Sequence, residues 1–451
     1  MEIMKYNEFQ MNIDLKDNFD KYILATKICS EKKNVNHMLY ESDDVIYVGI
    51  GEYSSIQVTE DTIVLETQSS VKQWDIKDLN IDLEIAFSEI QLEEWRAYGI
   101  ANFGLAKFNY GLPLNNESNK LLKLFIPEIE YQITDESLKV RALQEKELNG
   151  ISEKLKLLIE DIDNVKNTID MKNKLEIQEI FSYDQEYYKD IVSKGVAEIK
   201  NKTYKKVILS RKIPIKENLD MELSYLVGRR ANTPARSYIL KFDDLQAFGF
   251  SPETVAEIDR ERNVYTFPLA GTRAFFEDRE KSDKLRRELL DDTKEIAEHA
   301  VSVKLADEEL QQVCKMDTVV VTEFMSIMER GTVQHIGSRL RGTIKDEYNS
   351  WYAFNKLFPA VTASGIPKKE SIDAIGRLEK DARDLYSGSV LIYDSNGALD
   401  AALVLRTIFQ NSKETWIRAG AGIIEMSKPK REFEETCEKL SSVSKQLIKK
   451  E

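Results

Sequence analysis

The sequence predicts an α+β fold built on largely antiparallel sheets. Short β-rich segments separated by tight turns fill roughly the first 130 residues, and similar segments return after about residue 200. Longer charged segments with helical periodicity are grouped between them and do not follow every strand. Hairpins followed by groups of helices favour antiparallel pairing, and they argue against a doubly wound parallel sheet.

The N-terminal part, residues 1–190, is predicted to combine short strands with charged helices. The predicted strands cover residues 45–50, 55–58 and 62–66. Residues 135–182 contain no proline and almost no glycine, and Leu155, Leu158 and Ile162 recur at helical spacing. One or two amphipathic helices are therefore predicted there, packed against the same chain, with a coiled-coil partner as the alternative.

The C-terminal part, residues 191–451, is predicted to carry the functional residues and to form one large intertwined domain with the N-terminal part. Of the 19 glycines, 12 lie from Gly228 onward, as expected for strands joined by tight turns. Helices are predicted over 183–197 and 279–312, and a last helix begins near Pro429, because proline is favoured in a first helical turn. The predicted strands cover 206–210, 235–240, 245–250, 317–321, 332–336, 389–393, 401–409 and 415–419.

Composition excludes several classes of partner. The chain has 451 residues and a formal charge of −14, which argues against nucleic acid and anionic membranes. No apolar span suits a membrane helix, and the N-terminus lacks the apolar segment of a signal peptide. The three cysteines show neither disulfide nor zinc spacing, so a cytoplasmic location is expected. An acidic substrate would need a local positive site on this acidic chain.

Two glutamate pairs with the same spacing are the most informative feature. Glu295 and Glu298 lie in one predicted helix, and Glu432 and Glu435 lie in the last one. A spacing of three places each pair on one helical face. Four carboxylates brought together would repel one another unless a hard divalent cation such as Mg²⁺ lay between them. The alternative is that both pairs are solvated faces of surface helices.

Further candidates lie at strand ends and turns. Glu253 closes a strand, where partial burial would raise the pKa of its carboxyl group and suit it to act as a general acid. Lys206 begins a strand and could act as a base on an inward face, whereas an edge-protecting surface lysine is the alternative. Arg406, predicted on a strand after Leu405, suits carboxylate recognition.

A Gly-Ala-Gly segment is predicted to follow a strand. The backbone N–H groups of Gly420, Ala421 and Gly422 could then approach an anion closely, although such a segment is also common in plain turns. It is not a dinucleotide fingerprint, because the third glycine is missing. Lys439 follows Glu435 by four residues, so an ion pair within the helix is its plain alternative.

Together these segments resemble the chorismate-utilising enzymes over about residues 200–445. The resemblance rests on PLAGTR at 268–273, KEIAEH at 294–299, VQH at 333–335, FPAVTASGIP at 358–367, LYSG at 385–388, DAAL at 400–403, RAGAG at 418–422 and REFEET at 431–436, in family order. It implies the fold of that family, with antiparallel sheets packed as a sandwich and helices outside. It also implies chorismate as a small-molecule substrate.

Individual residues favour one branch of this family. Ala270 stands where aminodeoxychorismate synthases carry a nucleophilic lysine. Lys206 matches the water-activating lysine of isochorismate and salicylate synthases, which the ammonia-using branches lack. Segments 267–273, 331–336 and 385–388 most resemble salicylate synthases, which form isochorismate and then release pyruvate. The alternatives are an isochorismate synthase without pyruvate release, an ammonia-using subunit with a glutaminase partner, and a non-catalytic binding protein.

The resemblance also implies roles for individual residues. Mg²⁺ is expected on Glu295, Glu298, Glu432 and Glu435. Substrate contacts are expected from Gly271, Thr362, Tyr386, Leu405, Arg406, Gly420, Ala421, Gly422 and Lys439, with Tyr386 and Arg406 on the enolpyruvyl carboxylate. Lys206 is expected to activate water for attack on C2, and Glu253 to protonate the C4 hydroxyl. Thr272 would lie near the reacting ring edge, and His335 would position the substrate for pyruvate release.

Regulation and assembly follow from the same resemblance. Residues 39–42, LYES, are similar to the tryptophan-binding LLES segment of feedback-inhibited anthranilate synthases. Tyr40 departs from that pattern, so no tryptophan regulation is expected. A monomer without a glutaminase subunit is expected, and siderophore biosynthesis is the usual use of the product in this branch.

Overall fold

Two large antiparallel sheets form the centre of the protein, and helices cover them, which confirms the predicted fold class. The computed structural model describes residues 3–12, 19–32, 34–114, 117–160, 162, 174–276, 278–330 and 333–450. No helix within these ranges is long and apolar enough to cross a membrane.

The strands have the following bounds. They are β1 (Asn7–Asn12), β2 (His37–Ser42), β3 (Val45–Ile50), β4 (Ser54–Val58), β5 (Thr62–Thr67), β6 (Val71–Asp75), β7 (Arg96–Ala101), β8 (Leu122–Ile126), β9 (Ile129–Ile133), β10 (Ser137–Ala142), β11 (Lys206–Ile215), β12 (Arg236–Phe242), β13 (Leu245–Ser251), β14 (Thr254–Ile258), β15 (Asn263–Thr266), β16 (Leu269–Ala274), β17 (Val320–Arg330), β18 (Val333–Thr343), β19 (Gly365–Ile366), β20 (Ser389–Asp394), β21 (Leu399–Leu403), β22 (Thr407–Gln410) and β23 (Thr415–Ile423).

The helices lie on the outside of this framework. They are α1 (Lys21–Glu31), α2 (Leu79–Ser88), α3 (Gly104–Asn109), α4 (Glu145–Glu160), α5 (Gln185–Lys200), α6 (Met221–Arg230), α7 (Arg279–Asp291), α8 (Thr293–Val313), α9 (Ser350–Leu357), α10 (Lys368–Leu378) and α11 (Pro429–Ser444), with short 3₁₀ turns at Gln178–Phe181 and Val361–Ala363.

Each sheet combines strands from both ends of the chain. The first sheet has the order β1-β10-β9-β3-β2-β12-β13-β22-β23-β11-β19. The second has the order β16-β18-β15-β14-β21-β20-β7-β8-β4-β5-β6, and β17 pairs with the other edge of β18. The chain passes from the second sheet to the first between β21 and β22, and this crossing lies beside the candidate site.

An aromatic layer fills the space between the two sheets. The ring of Tyr98 packs so closely that a Cβ added at Gly49 would lie 2.7 Å from it. Tyr40 is fully buried in the same layer, and its hydroxyl donates to Asp400 Oδ1 at 2.7 Å. Each buried aromatic side chain of this kind contributes about 2–3 kcal/mol to stability. Tyr40, which departs from the tryptophan-binding pattern at residues 39–42, thus lies inside the core.

Several predicted elements differ from the structure. The helix predicted over 135–182 starts too early, because residues 137–142 form β10, where Leu138 and Val140 alternate with polar residues and pair with β9. The amphipathic helix is α4, and residues 163–173 lie outside the described part. The single strand predicted over 401–409 is wrong, because β21 and β22 belong to different sheets.

The long helical stretch predicted over 279–312 is two helices. Asp292 separates α7 from α8 with an extended backbone, and its carboxylate accepts the N–H groups of Lys294 at 3.0 Å and Glu295 at 3.3 Å. Aspartate is a favoured N-cap residue, because it satisfies free N–H groups of the first turn. The new helix start places Glu295 and Glu298 in the first two turns of α8.

Candidate active site

Pairwise side-chain contacts bring most of the predicted site residues together at one place in the fold. This place lies where the first residue of β11, the loop after β13, the turn into β16 and the N-terminal part of α8 come together. The β21–β22 crossing and the last part of β23 complete it. Glu298, Glu253, His335 and Lys439 each bond to at least one other predicted residue. Local spacing alone did not predict these pairs.

Lys206 is buried at the start of β11, and its Nζ donates a hydrogen bond to Glu298 Oε1 of α8. Only 9% of its side chain is exposed, so Lys206 is not the exposed, edge-protecting lysine of the alternative interpretation. A Cβ added at Gly422 of β23 would lie 3.1 Å from Lys206 Cε and 3.7 Å from Nζ. The absence of a side chain at Gly422 therefore leaves room for Lys206.

Replacing Gly422 with alanine is expected to lower kcat about tenfold, because the new methyl group displaces Lys206 from its position. Steady-state kinetics with chorismate, the substrate that the family resemblance implies, would measure this. Gly150→Ala is the matched control, since a Cβ there meets nothing within 4 Å. It should leave kcat unchanged and add about 1 kcal/mol to helix stability. An unchanged kcat in Gly422→Ala would contradict this prediction.

Glu253 is a buried carboxyl group in the loop between β13 and β14, with 3% of the residue exposed. Its Oε2 accepts the backbone N–H of Leu269 at 3.2 Å, and its Oε1 bonds to the hydroxyl of Thr362. Burial raises its pKa to about 7, against the lowering effects of these hydrogen bonds and of Lys206 and Arg406. The group thus holds a proton near neutral pH, as a general acid requires.

His335 of β18 links Thr272 to Arg406. Its Nδ1 lies 3.0 Å from Thr272 Oγ1, and its Nε2 lies 3.3 Å from Arg406 Nη2. A guanidinium can only donate, so Nε2 accepts and Nδ1 carries the proton that is donated to Thr272. Burial and the charge of Arg406 lower the pKa of His335 to about 3. His335 is therefore neutral, with both ring nitrogens engaged.

Arg406 does not lie on a strand, contrary to the prediction. It occupies the crossing between β21 and β22 with a φ of +51°, and Leu405 beside it is half-buried. Burial and the nearby charge of Arg330 lower the pKa of Arg406 to about 10. Among the described residues no carboxylate forms a salt bridge with Arg406, so this guanidinium is available to an anionic ligand.

The glycines of the Gly-Ala-Gly segment lie inside β23, not after it. Gly420 pairs with Ser210 and Gly422 with Ile208 of β11. A Cβ added at Gly420 would lie 2.8 Å from Leu209 O, so glycine allows the two strands to approach closely. The prediction that the segment follows the strand is wrong, and so is its alternative, a plain turn, because ladder pairing continues through this segment. The carbonyl of Gly420 accepts a hydrogen bond from Lys439 Nζ at 3.0 Å.

The two glutamate pairs stand on the facing N-terminal parts of α8 and α11. Lys294 of α8 acts electrostatically on both Glu432 and Glu435 of α11, so the two helix starts are close. Burial and repulsion from Glu298 raise the pKa of Glu295. Lys439 binds Glu435 at 2.8 Å. Burial opposes the charged form of Glu435, but Lys439 outweighs it and lowers the pKa.

This set of carboxylates suits a hard cation in its chemistry. The repulsion that raises the pKa of Glu295 would be relieved by a divalent ion, and oxygen donors are those that Mg²⁺ prefers. Among the described residues, however, no three His, Cys, Asp or Glu side chains are arranged to hold a metal. Lys206 and Lys439 neutralise Glu298 and Glu435 instead.

Gly271 provides the close approach between β16 and α8. Its φ is +75°, a conformation that favours glycine, and a Cβ there would lie 3.1 Å from Glu295 Oε2. Thr272 follows it and points its hydroxyl at His335. The irregularity of β16 at Gly271 thus brings Glu295 of one glutamate pair beside Thr272, which bonds to His335.

The charged residues behind Tyr386 were not among the predicted site residues. Glu379 and Arg383 are buried, and the guanidinium of Arg383 lies 5.7 Å from the Tyr386 ring centroid. Arg418, noted only as part of a motif, lies 5.5 Å from the same centroid on another strand. The available signal was an acid and a base four residues apart, just before the LYSG segment.

Comparisons with known proteins show the family and the fold that this chain shares. A family model described as chorismate binding enzyme matches residues 31–445. A salicylate synthase of Mycolicibacterium paratuberculosis is 35% identical over 426 residues, covering 93% of this chain and 92% of that protein. The solved structure of MenF, the menaquinone-specific isochorismate synthase of Escherichia coli, has a TM-score of 0.73 at 18% identity and covers 98% of this chain and 94% of that one. Anthranilate synthase component I of Streptococcus pneumoniae has a TM-score of 0.70 at 20% identity, with 89% and 92% covered. The two solved structures share the fold.

Proposed function

The chain belongs to the chorismate-binding enzyme family, and from this premise we propose that it is a salicylate synthase. It would convert chorismate to isochorismate and then to salicylate and pyruvate. The observation that carries the proposal is a pair of buried groups close enough to interact electrostatically, Lys206 at the start of β11 and Glu253, whose pKa burial raises to about 7. The 35% identity to a salicylate synthase over 93% of the chain supports the choice of branch.

The first half-reaction moves a hydroxyl group around the substrate ring. Lys206, in its neutral amine form, takes a proton from a water molecule, and the resulting hydroxide oxygen attacks C2. The ring double bonds shift, and the C4 hydroxyl leaves as water with the proton of Glu253. One water enters and one leaves, so isochorismate has the composition of chorismate. Glu253 suits the acid role, because burial raises its pKa to about 7.

Fixed positive groups hold the two carboxylates of the substrate. Arg406, which lacks a described carboxylate partner, and the hydroxyl of Tyr386 take the enolpyruvyl carboxylate. Lys439, near Gly420, supports the ring carboxylate. The four glutamates Glu295, Glu298, Glu432 and Glu435 would hold Mg²⁺, which when bound would neutralise and orient that ring carboxylate.

The second half-reaction needs no protein base. The C2 hydrogen passes within isochorismate to the methylene carbon of the enolpyruvyl group, the C–O bond breaks, and pyruvate leaves as the ring becomes aromatic. His335 suits a positioning role, because it is neutral and both of its nitrogens are already bonded. It holds Thr272 and Arg406 in place against the substrate.

The test is product analysis of purified protein incubated with chorismate and Mg²⁺. Salicylate fluorescence and equal amounts of salicylate and pyruvate on chromatography are expected. Removing divalent cations with EDTA is expected to abolish both products, and added Mg²⁺ to restore them, because the four carboxylates otherwise repel the substrate carboxylate.

Other products would change the assignment. Isochorismate without salicylate would keep the water-addition chemistry and would overturn the pyruvate-releasing step. Anthranilate formed in the presence of ammonium would move the protein to an ammonia-using branch. Full activity in EDTA would overturn the metal site while leaving the product assignment intact.

A further inference from the structure

Directly behind Tyr386 lies a fully buried cluster of one carboxylate and two guanidiniums. Glu379 bonds to Arg383 at 2.7 Å and to Arg418 at 2.5 Å, and no more than 3% of any of the three side chains is exposed. The cluster carries one net positive charge, since two arginines face one glutamate. Arg383 and Arg418 outweigh the effect of burial and hold the pKa of Glu379 below its ordinary value.

Arg383 connects three separate segments of the site. It donates to the carbonyl of Ala363 at 2.7 Å, in the turn that carries Thr362. It also donates to Ile208 O at 2.6 Å, on the strand that begins with Lys206, and to Ser387 Oγ at 3.2 Å. One buried side chain therefore holds the segments of the proposed base, of the hydroxyl bonded to Glu253, and of Tyr386.

Arg418 and Glu379 complete the same connection from β23. Arg418 donates to Ser210 Oγ at 2.8 Å and to the carbonyl of Ala382 at 2.5 Å. Glu379 accepts the backbone N–H of Ser210 at 2.7 Å. Both guanidiniums lie within 6 Å of the Tyr386 ring centroid, at 5.7 Å and 5.5 Å. This is the range of a cation–π contact, which is strengthened by burial.

We infer that the cluster of Glu379, Arg383 and Arg418 is a positioning network that sets the affinity for the enolpyruvyl carboxylate of the substrate through Tyr386. Its hydrogen bonds to Ser387 and to the carbonyl of Ala382 hold the chain on either side of Tyr386, and its net positive charge favours an anion beside the ring. The inference rests on the proposed function, in which Tyr386 contacts that carboxylate. The three residues act through Tyr386 and do not touch the reacting atoms.

The experiment compares Arg418→Met with the wild type and with a similar variant in a matched cluster elsewhere in the protein. Arg418→Met is expected to raise KM for chorismate about tenfold with a smaller change in kcat. The reason is that Tyr386, when no longer held in place, binds the substrate carboxylate more weakly. Glu130, Arg96 and Arg141 form a second buried cluster of one glutamate and two arginines, also beside a tyrosine, Tyr98. Arg141→Met should lower Tm without changing KM. An unchanged KM in Arg418→Met, or an equal rise in Arg141→Met, would overturn the inference.

A double-mutant cycle separates positioning through Tyr386 from a general loss of order. In a Tyr386→Phe background, Arg418→Met is expected to change KM by less than about twofold, because the hydroxyl is already absent. A tenfold rise in KM in that background would contradict the inference. If Arg418→Met does not fold, Arg418→Lys takes its place, since lysine retains the charge but loses the forked hydrogen bonds. Its KM rise must likewise disappear in Tyr386→Phe.

These measurements remain separable from the product assignment. KM is obtained from chorismate consumption, so a wild type that makes only isochorismate leaves the comparison intact. If the wild type consumes no chorismate, the proposed function fails. The rise in Tm that chorismate produces in each variant then provides the same comparison of affinity.

Discussion

Lys206→Ala is expected to lower kcat by about 10³-fold, because positioned general-base catalysis contributes about 10²–10⁴-fold. The structure places this lysine in a buried position, bonded to Glu298 and beside the side-chain-free Gly422. Alanine removes the base without adding bulk. Chorismate and Mg²⁺ binding should persist, because the proposed carboxylate contacts and the four glutamates remain.

Rates of chorismate consumption, together with chorismate and Mg²⁺ binding isotherms, would measure this effect. Lys205→Ala is the matched control, since Lys205 is the preceding residue and is exposed. It should retain the wild-type rate. Full activity in Lys206→Ala would show that the base assignment is wrong, whereas loss of binding along with rate would indicate a structural role for the lysine.

Glu253→Gln is expected to lower kcat by about 10²–10³-fold and to remove a pH dependence of the wild type. The proposed acid must hold its proton, and its pKa is raised to about 7 by burial. Wild-type kcat should therefore fall as pH rises above about 7, approaching tenfold per pH unit. Glutamine keeps the shape and can still accept from Leu269 and bond to Thr362, but it has no proton to give.

The same carboxyl group makes stability depend on pH in a defined direction. Its pKa in the folded state, about 7, is above the ordinary value of 4.5, so the folded protein binds more protons between these values. Its stabilising contribution is complete below pH 4.5 and is lost as pH rises to 7, by about 3 kcal/mol. The Tm of Glu253→Gln relative to wild type should thus increase from pH 5 to pH 8.

Thermal unfolding and pH–rate profiles of both proteins would test these statements. Glu257→Gln is a suitable control, because Glu257 lies on β14 four residues away and pairs with Arg236 and Arg339 at the surface side. It should retain the falling limb of the pH–rate profile. A Glu253→Gln enzyme that keeps both its rate and that limb would contradict the acid assignment.

Much of the local structure could be predicted from the sequence. The hairpin of β12 and β13 and the helix that begins at Pro429 appear where the pattern predicted them. The errors occur where two elements share one continuous pattern. Residues 401–409 read AALVLRTIF, in which only Arg406 and Thr407 are polar, and no glycine or proline marks the crossing at Arg406. Asp292 lies within a helical pattern, yet its side chain caps a new helix.

The sequence by itself determined the residue types, their spacing within single helices and strands, and the resemblance to chorismate-utilising enzymes. The spacing depends on the periods of 3.6 and 2 residues, which act over a few positions, and the resemblance depends on the quoted motifs. Glu295 and Glu298 share a helical face for that reason alone.

Only the tertiary structure decided which of these groups meet and what charge they carry. The partner of Glu298 is Lys206, 92 positions away, and the pKa of Glu253 is raised because segments distant in sequence bury its carboxyl group. The cluster at Glu379 joins a helix end, a turn and two strands. Burial and ion pairing result from contacts between distant segments, so periodicity within one segment carries no information about them.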